Sequence, residues 1–391
     1  MGLSSAMAQA PASQQKPPDA TKDAPKAAEQ PKAPEPAAGQ TKTAQEQFKN
    51  IQVLKTVPAE DLLPTMRYIS AALGVECNFC HVRNPDFAPE KDDKKEKQTA
   101  RKMMQMVMTI NQENFEGHQD VSCNSCHNGH NRPQTIPPMA TEAAIKERLQ
   151  ARANQPPQGA PGQPQAQQPQ QGPPREARPS AESLFQKYEQ AIGGSAAIAK
   201  ISSRYMKGSL TSPLGNSDFE QYNQAPDKFW VSTTSPRGAR VQAWDGLQGW
   251  TRAGKVEPMR DVTDVKITAD FYRNLKFTDR YKGARVFRKE KVGDRDAWVV
   301  MVRIPDSPLS DMLYFDTDSG LLLRRTTLRR TALGPLPNTA DFADYRDVGG
   351  VKMPFKVTLS TPDSLQNIQV SEIKFNVPVE DTRFAMPAST E

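Results

Sequence analysis

Histidine and cysteine are scarce in this chain: 391 residues contain four of each. No histidine follows His130 and no cysteine follows Cys126. The C-terminal half therefore holds neither a Ser-His-Asp triad nor a Cys-His pair. No apolar run approaches the length needed to cross a membrane. The formal net charge is +6, with basic and acidic residues mixed along the chain. No basic face with interleaved aromatics stands out, so the sequence gives no support for a nucleic-acid partner.

What is abundant is proline, 34 residues, much of it in two blocks at 11–45 and 154–179. Both blocks have too few apolar residues to offset the entropy of ordering them, so both are expected to be disordered. The expected organisation is a signal remnant and Pro/Ala/Lys-rich segment at 1–46, a first domain at 47–150, a Pro/Gln-rich linker at 151–180 and a second domain at 181–391. Ala8-Gln9-Ala10 has the small-x-small form of a signal-peptidase site, although no hydrophobic core precedes it. It reads either as the tail of an export signal or as a chance match in an Ala-rich stretch.

All four cysteines fall in two copies of one pattern: Cys77-Asn-Phe-Cys80-His81 and Cys123-Asn-Ser-Cys126-His127. Thiols at i and i+3 can add to the two vinyl groups of a haem, and the next histidine can then bind the iron. A CxxC pair also suits a redox dithiol or half of a zinc site. A zinc site with four thiolates would leave His81 and His127 unexplained. The pattern predicts two covalently attached haem c groups, held by Cys77, Cys80, Cys123 and Cys126, with His81 and His127 as iron ligands. Haem c attachment implies a periplasmic location, with membrane association left open.

Each iron then needs a sixth ligand or an open position. Residues 59–73 read as a helix, opened by Pro58-Ala-Glu-Asp and closed by Gly74. Leu62, Met66, Ile69 and Leu73 form its apolar stripe. Met66 is either a ligand facing His81 or an ordinary core methionine. A second amphipathic helix spans roughly 95–114 and carries Met103, Met104, Met106 and Met108. Met104 and Met108 share a face, while Met103 and Met106 lie on a neighbouring one. Periodicity does not choose among them.

Three stretches, LPTMRYISAALGVECNFCH, ARKMMQMVMTIN and VSCNSCHNGH, carry a family resemblance. Together they resemble the tetrahaem cytochrome subunit of purple-bacterial photosynthetic reaction centres. Each haem unit of that family is a helix, a turn and CxxCH, and three of its four haems have histidine–methionine ligation. The resemblance implies Met66 with His81, and Met103 with His127, with Met104 as the runner-up. His118 lies near the position of the histidine that serves the family's fourth haem. Here it reads as a relic, a surface residue or a ligand to a haem in another subunit. His130 reads as a solvent-exposed or propionate-contacting neighbour. The resemblance covers about residues 47–135 and two haem motifs rather than four. It implies a diheme module relaying single electrons between membrane or periplasmic redox proteins; no sequence feature implies a photosynthetic partner. No residue supplies a positioned acid–base group, so an enzyme is not expected. The alternative is a redox enzyme with one open iron.

After the second proline block, Ser180 caps a short helix that ends at Gly193-Gly194. Then come alternating segments: KFWVSTTS, ARVQAWDG, DAWVVMVRI, DMLYFDTDSGLLLRRTTLRR, VKMPFKVTLST and IQVSEIKF. Turns are expected at 316–320 and 348–351. The predicted fold class is multidomain: a mainly α diheme cytochrome c module followed by an α+β domain with a curved antiparallel sheet or half-barrel. YFDTDSGLLLRR, DYRDVGGVKMPFKV and IKFNVPVEDTRFAMP resemble a bacterial periplasmic β-domain related to the outer-membrane lipoprotein carrier fold, over about 182–387. That resemblance implies an apolar interior, which in true carriers accepts acyl chains. Trp230, Trp244, Trp250 and Trp298 either line it or fill the core. Asp344, Arg346 and Asp347 read as turn and surface residues. The implied role is docking to an envelope lipid or another subunit. An envelope lipid- or lipoprotein-binding protein with an accessory haem domain is a further alternative.

Overall fold

The computed structural model describes residues 42–83, 86–135, 141, 145–146, 148–150 and 178–387, apart from positions 214, 260, 279, 282, 306 and 308. The Ala8-Gln9-Ala10 site and most of both proline blocks lie outside the described residues.

The first segment is helical. Its helices are α1 (Ala44–Gln47), α2 (Ala59–Leu73), α3 (Cys77–Cys80), α4 (Lys95–Asn114) and α5 (Cys123–His127). A small hairpin, β1 (Val82–Arg83) and β2 (Phe87–Ala88), lies between α3 and α4. Glu60 and Asp61 in the first turn of α2 complement the positive end of its dipole. Gly74, at φ 64°, ends it in the left-handed conformation. Pro64 sits inside α2 and has no N–H, so the Glu60 carbonyl loses its usual partner. Arg329 supplies a replacement from the sheet, its Nη2 donating to Glu60 O at 3.4 Å. Helix α4 buries Lys97, Met104, Val107 and Asn111, a single face at helical spacing. Asn111 then ties down the following loop: its Nδ2 donates to Val121 O at 2.7 Å and its Oδ1 accepts from Val121 N at 2.9 Å.

Strands β3 (Ser203–Ser212) to β15 (Ser364–Phe375) form a 13-stranded sheet, antiparallel throughout. The order is β8-β7-β6-β5-β4-β3-β15-β14-β13-β12-β11-β10-β9. Two meanders thus meet where β3 pairs with β15. The expected turn at 316–320 joins β11 (Ser310–Asp316) to β12 (Leu322–Thr331). Gly349 and Gly350, at φ 59° and 89°, make the tight turn between β13 (Gly334–Val348) and β14 (Val351–Thr361).

One face of the sheet carries the main core. The helix Ala181–Ala191 lays Leu184, Phe185 and Tyr188 on it, joined by Phe271, Leu275 and Phe277. Ser180 caps this helix, its Oγ accepting from Ser183 N at 3.0 Å. A cavity of about 380 Å³ on the same side is lined by both β5 (Lys228–Ser235) and β12. In sheet order those strands are six steps apart. A flat sheet would hold them roughly 29 Å apart at about 4.8 Å per step. The sheet therefore bends around this face. The tryptophans fill core rather than lining that cavity: Trp298 joins the main core, Trp244 packs with Phe229 and Ala269, and Trp250 packs beside Trp230. Asp344 pairs with Arg346 at 2.6 Å on the surface, and Asp347 Oδ1 caps the turn at Gly350 N.

The helical segment shares a core with the tip of the β12–β13 hairpin. Leu333 and Leu336 are buried with Leu62, Tyr68, Ala72, Met104 and Cys123. The Tyr68 ring lies directly on Gly334, where an added Cβ would meet it at 2.3 Å. Gln119 Nε2 donates to Thr331 O at 3.0 Å and to Ala332 O at 2.9 Å. Arg329 pairs with Asp61 at 3.1 Å and with Asp261 at 3.0 Å. Arg67 holds Asp363 through two bonds of 3.0 and 2.8 Å.

Gly334→Leu would push Tyr68 off the hairpin. We expect a loss of about 2 kcal/mol or more and separation of a single unfolding transition into two. Denaturation followed by tryptophan fluorescence, which reports only the sheet segment, and by far-UV circular dichroism checks this. Coincident transitions at the wild-type midpoint would show that the contact is not structural.

Candidate functional site

At the first motif, α3 is a single turn that brings Cys77 and Cys80 to one side. His81 N donates to Cys77 O at 3.0 Å. The His81 Nδ1 lies 3.2 Å from Pro89 O. A carbonyl only accepts, so Nδ1 carries the proton and the Nε2 lone pair is free for a metal. The β1–β2 hairpin, pairing Val82 with Ala88, brings the Pro89 carbonyl back to His81. Phe87 meets the imidazole edge-on at 5.8 Å between ring centroids. Burial, reinforced by Lys97, Arg101 and Lys94, pushes the His81 pKa down and favours the neutral ring. Burial, with Glu96, pushes the Cys80 thiol up. A cavity of about 550 Å³ opens here, lined by Met66, Cys77, Cys80, His81, Lys97 and Met104. That volume lies within the range of small-molecule and cofactor sites, about 300–1,000 Å³.

The second motif solves the same problem in fewer residues. Ser122 stands at the N-cap of α5, and its backbone N donates to Ser125 Oγ at 3.1 Å. Cys123 is buried and burial pushes its thiol up, while Cys126 is exposed. Asn128 and Gly129, at φ 46° and 83°, reverse the chain at once. The reversal places His130 O 2.8 Å from His127 Nδ1, so His127 also presents a free Nε2. It also lets Gly129 N donate to Ala72 O at 2.8 Å, locking this motif onto the end of α2. Gly74 allows that approach, because a Cβ there would lie 2.1 Å from Gly129 O.

Met66 and Met104 both line the first cavity, Met104 being 8% exposed. Met103 is 38% exposed and lies outside that cavity. His118 is exposed, with its backbone N–H bonded to Phe115 O at 2.7 Å. The His130 side chain is exposed, and its contribution is the carbonyl. Among the described residues, no three His, Cys, Asp or Glu side chains converge to hold a metal ion, so the four cysteines form no zinc cluster. The raised thiols of Cys80 and Cys123 also run against thiolate chemistry. At the first motif the residues present fit haem c: paired thiols on one turn, an imidazole fixed through Nδ1, and methionine sulfur in an apolar cavity. The second motif supplies the paired thiols and the fixed imidazole.

Sequence reasoning missed the groups around His81. Lys97 is 8% exposed on the buried face of α4. It pairs with Asp92 at 2.8 Å, and Asp92 pairs with Arg101 at 2.9 Å. Those hydrogen bonds, from Arg101 first and then Lys97, hold the Asp92 carboxyl well below its ordinary range. The signal was a lysine at the spacing of Met104, Val107 and Asn111.

A second site lies on the bent face of the sheet. The 380 Å³ cavity there is mostly apolar but contains Arg204, Arg273 and Arg325. One fully buried carboxylate, Asp311, serves both Arg273 at 3.0 Å and Arg325 at 3.3 Å. Burial pushes Arg204 down to about 10, and its Nε makes no hydrogen bond within the protein. Burial, with neighbouring Arg325, likewise pushes Arg273 down to about 10.

Comparison with known proteins bears on both halves of the chain, in sequence for the first. Residues 5–163 match the family model of the photosynthetic reaction centre cytochrome C subunit. Cytochrome c-554 of Chloroflexus aurantiacus is 36% identical over 94 residues, covering 22% of this chain and 21% of the relative. The chain thus spans about a fifth of that relative's length. A LolA superfamily protein from Nitrosomonas europaea is similar to the C-terminal half, at 15% identity and a TM-score of 0.39, covering 53% of this chain and 98% of that one. A DUF1329 family protein from Desulfovibrio piger overlays at 14% identity and a TM-score of 0.39, covering 52% and 96%. The N-terminal region is similar in sequence to c-type cytochromes, as its motifs imply.

Gly74→Ala should cost about 1–3 kcal/mol through left-handed strain and loosen the second motif. Gly129→Ala, with nothing within 4 Å of its Cβ, carries only the strain. Proteolysis at 115–135 should therefore rise in the Gly74 variant more than in the Gly129 variant. Equal cleavage would show that the α2 junction does not hold the motif.

Proposed function

We propose that this chain is a diheme c-type cytochrome that passes single electrons between redox partners outside the cytoplasmic membrane. The observation that carries the reading is the matched pair of bonds, His81 Nδ1 to Pro89 O and His127 Nδ1 to His130 O. Both histidines that follow a CxxC are prepared as Nε2 ligands by backbone carbonyls. Cys77 and Cys80 attach the first group, and Cys123 and Cys126 the second. Haem c supplies a one-electron couple at iron. Met66, which lines the cavity with His81, would supply the methionine sulfur that holds the first haem. Met104 faces the same cavity. For the second site we take Met103, the methionine that the family resemblance implies, which like Met106 and Met108 is exposed on α4. Methionine sulfur at each site would leave no open iron position and would favour a higher potential than two histidines. Electron transfer is therefore preferred over catalysis. The partners are membrane or periplasmic redox proteins.

The pyridine haemochrome should give two haems per chain, and Cys77→Ala/Cys80→Ala should give one. Met66→Ala should open the first iron to carbon monoxide, while Met104→Leu should leave it closed. Zero or one haem in the wild type would overturn the reading. Carbon monoxide binding by the untreated protein would instead favour a redox enzyme with an open iron.

A second reading concerns the sheet cavity. An apolar pocket lined by three arginines against one carboxylate, Asp270, suits an amphiphile with an anionic head. We propose that the C-terminal segment binds such an envelope lipid. Fluorescent fatty acid should bind the full chain, and Arg204→Met should weaken binding at least tenfold. Unchanged affinity in that variant would place any lipid elsewhere.

A further inference from the structure

Lys97 has no role in the relay as described, yet it occupies a demanding position. It is 8% exposed, and it lines the first cavity. Its ammonium has two carbonyl acceptors and one ion-pair partner. Nζ donates to Pro89 O and to Lys91 O, both at 2.7 Å, and pairs with Asp92 Oδ1 at 2.8 Å. The Pro89 oxygen is the same acceptor that holds His81 Nδ1–H at 3.2 Å. One carbonyl therefore serves two donors, with the charged donor closer.

We propose that Lys97 is a positioning residue that raises the reduction potential of the first haem site, an inference that rests on the haem c reading above. Two effects act in the same direction. A carbonyl already bonded to an ammonium withdraws less strongly on the imidazole N–H, so His81 donates less electron density to its metal. The ammonium also places positive charge beside the cavity in a partly desolvated setting. Asp92 offsets only part of it, because Arg101 shares that carboxylate at 2.9 Å. Lys97, Arg101 and Asp92 together leave one net positive charge. Both effects disfavour the oxidised, more positive centre. The same three residues staple the 89–92 loop, so a purely structural role is the competing account. It differs in the sign it predicts.

The test is a spectropotentiometric titration of the full-chain holoprotein, after its haem count is measured. In Lys97→Met, one of the two midpoints should fall by at least a tenfold change in the oxidised-to-reduced ratio, about 59 mV for one electron. In Asp92→Asn the same midpoint should rise, because the offsetting carboxylate is gone. The other midpoint should stay fixed in both variants. A loop staple alone would shift both variants the same way, by admitting water. Shifts of the same sign, no shift, or equal shifts of both midpoints would overturn the proposal. If Lys97→Met does not retain haem, Asp92→Asn decides alone, and a midpoint that fails to rise there is sufficient to reject it. A count other than two haems per chain would reject the functional reading instead.

Discussion

The contact of Tyr68 with Gly334 fixes helix α2 on the sheet, and the rest of the arrangement follows from where α2 lies. One face of α2 gives Met66 to the first cavity. Its last turn gives the Ala72 carbonyl to Gly129 of the second motif. Both motifs are thus referenced to one rigid element. Burying Leu333 and Leu336 against that element contributes roughly 1.5–3 kcal/mol each. The hydrogen bonds of Arg329 and Gln119 add direction to this apolar contact. Pro64 gives the docking a chemical complement. A proline inside a helix frees one carbonyl, and here the freed oxygen faces the arginine of the partner strand.

The local elements were legible where punctuation and periodicity agreed. Pro58 and Gly74 bracket α2 at the expected residues, and α4 runs over the expected 95–114. Strands β5 and β14 coincide with KFWVSTTS and VKMPFKVTLST. Strand β13 was not among the expected segments; only the turn that ends it was. Its first half contains Pro335 and Pro337, which argue against a central strand. The structure accommodates them because pairing with β14 starts only at Thr339, so that stretch has a neighbour on one side alone. The docking of this hairpin on α2 was not legible at all. Leu333 and Leu336 look like ordinary apolar residues near a turn, and a contact across more than 250 positions leaves no local signature.

The methionines show the same division. Periodicity separated Met103 from Met104 by face but gave neither face a destination. Packing gives Met104 to the first cavity, beside Met66, and leaves Met103 exposed. His130 was conspicuous in the sequence as an imidazole, yet its backbone oxygen is what the structure uses. Side-chain identity is a poor guide wherever a backbone group does the work.

The two motifs meet one requirement, a carbonyl at Nδ1, in different ways, and the difference has electrostatic consequences. His127 takes its carbonyl from three residues on, through the Asn128–Gly129 reversal. His81 takes its carbonyl from eight residues on, through a hairpin, and is crowded by Lys94, Lys97 and Arg101. Beside His81, Lys97 and Arg101 share the one carboxylate of Asp92. In the proposed relay the first site would therefore be tuned by its charged surroundings rather than by its ligands.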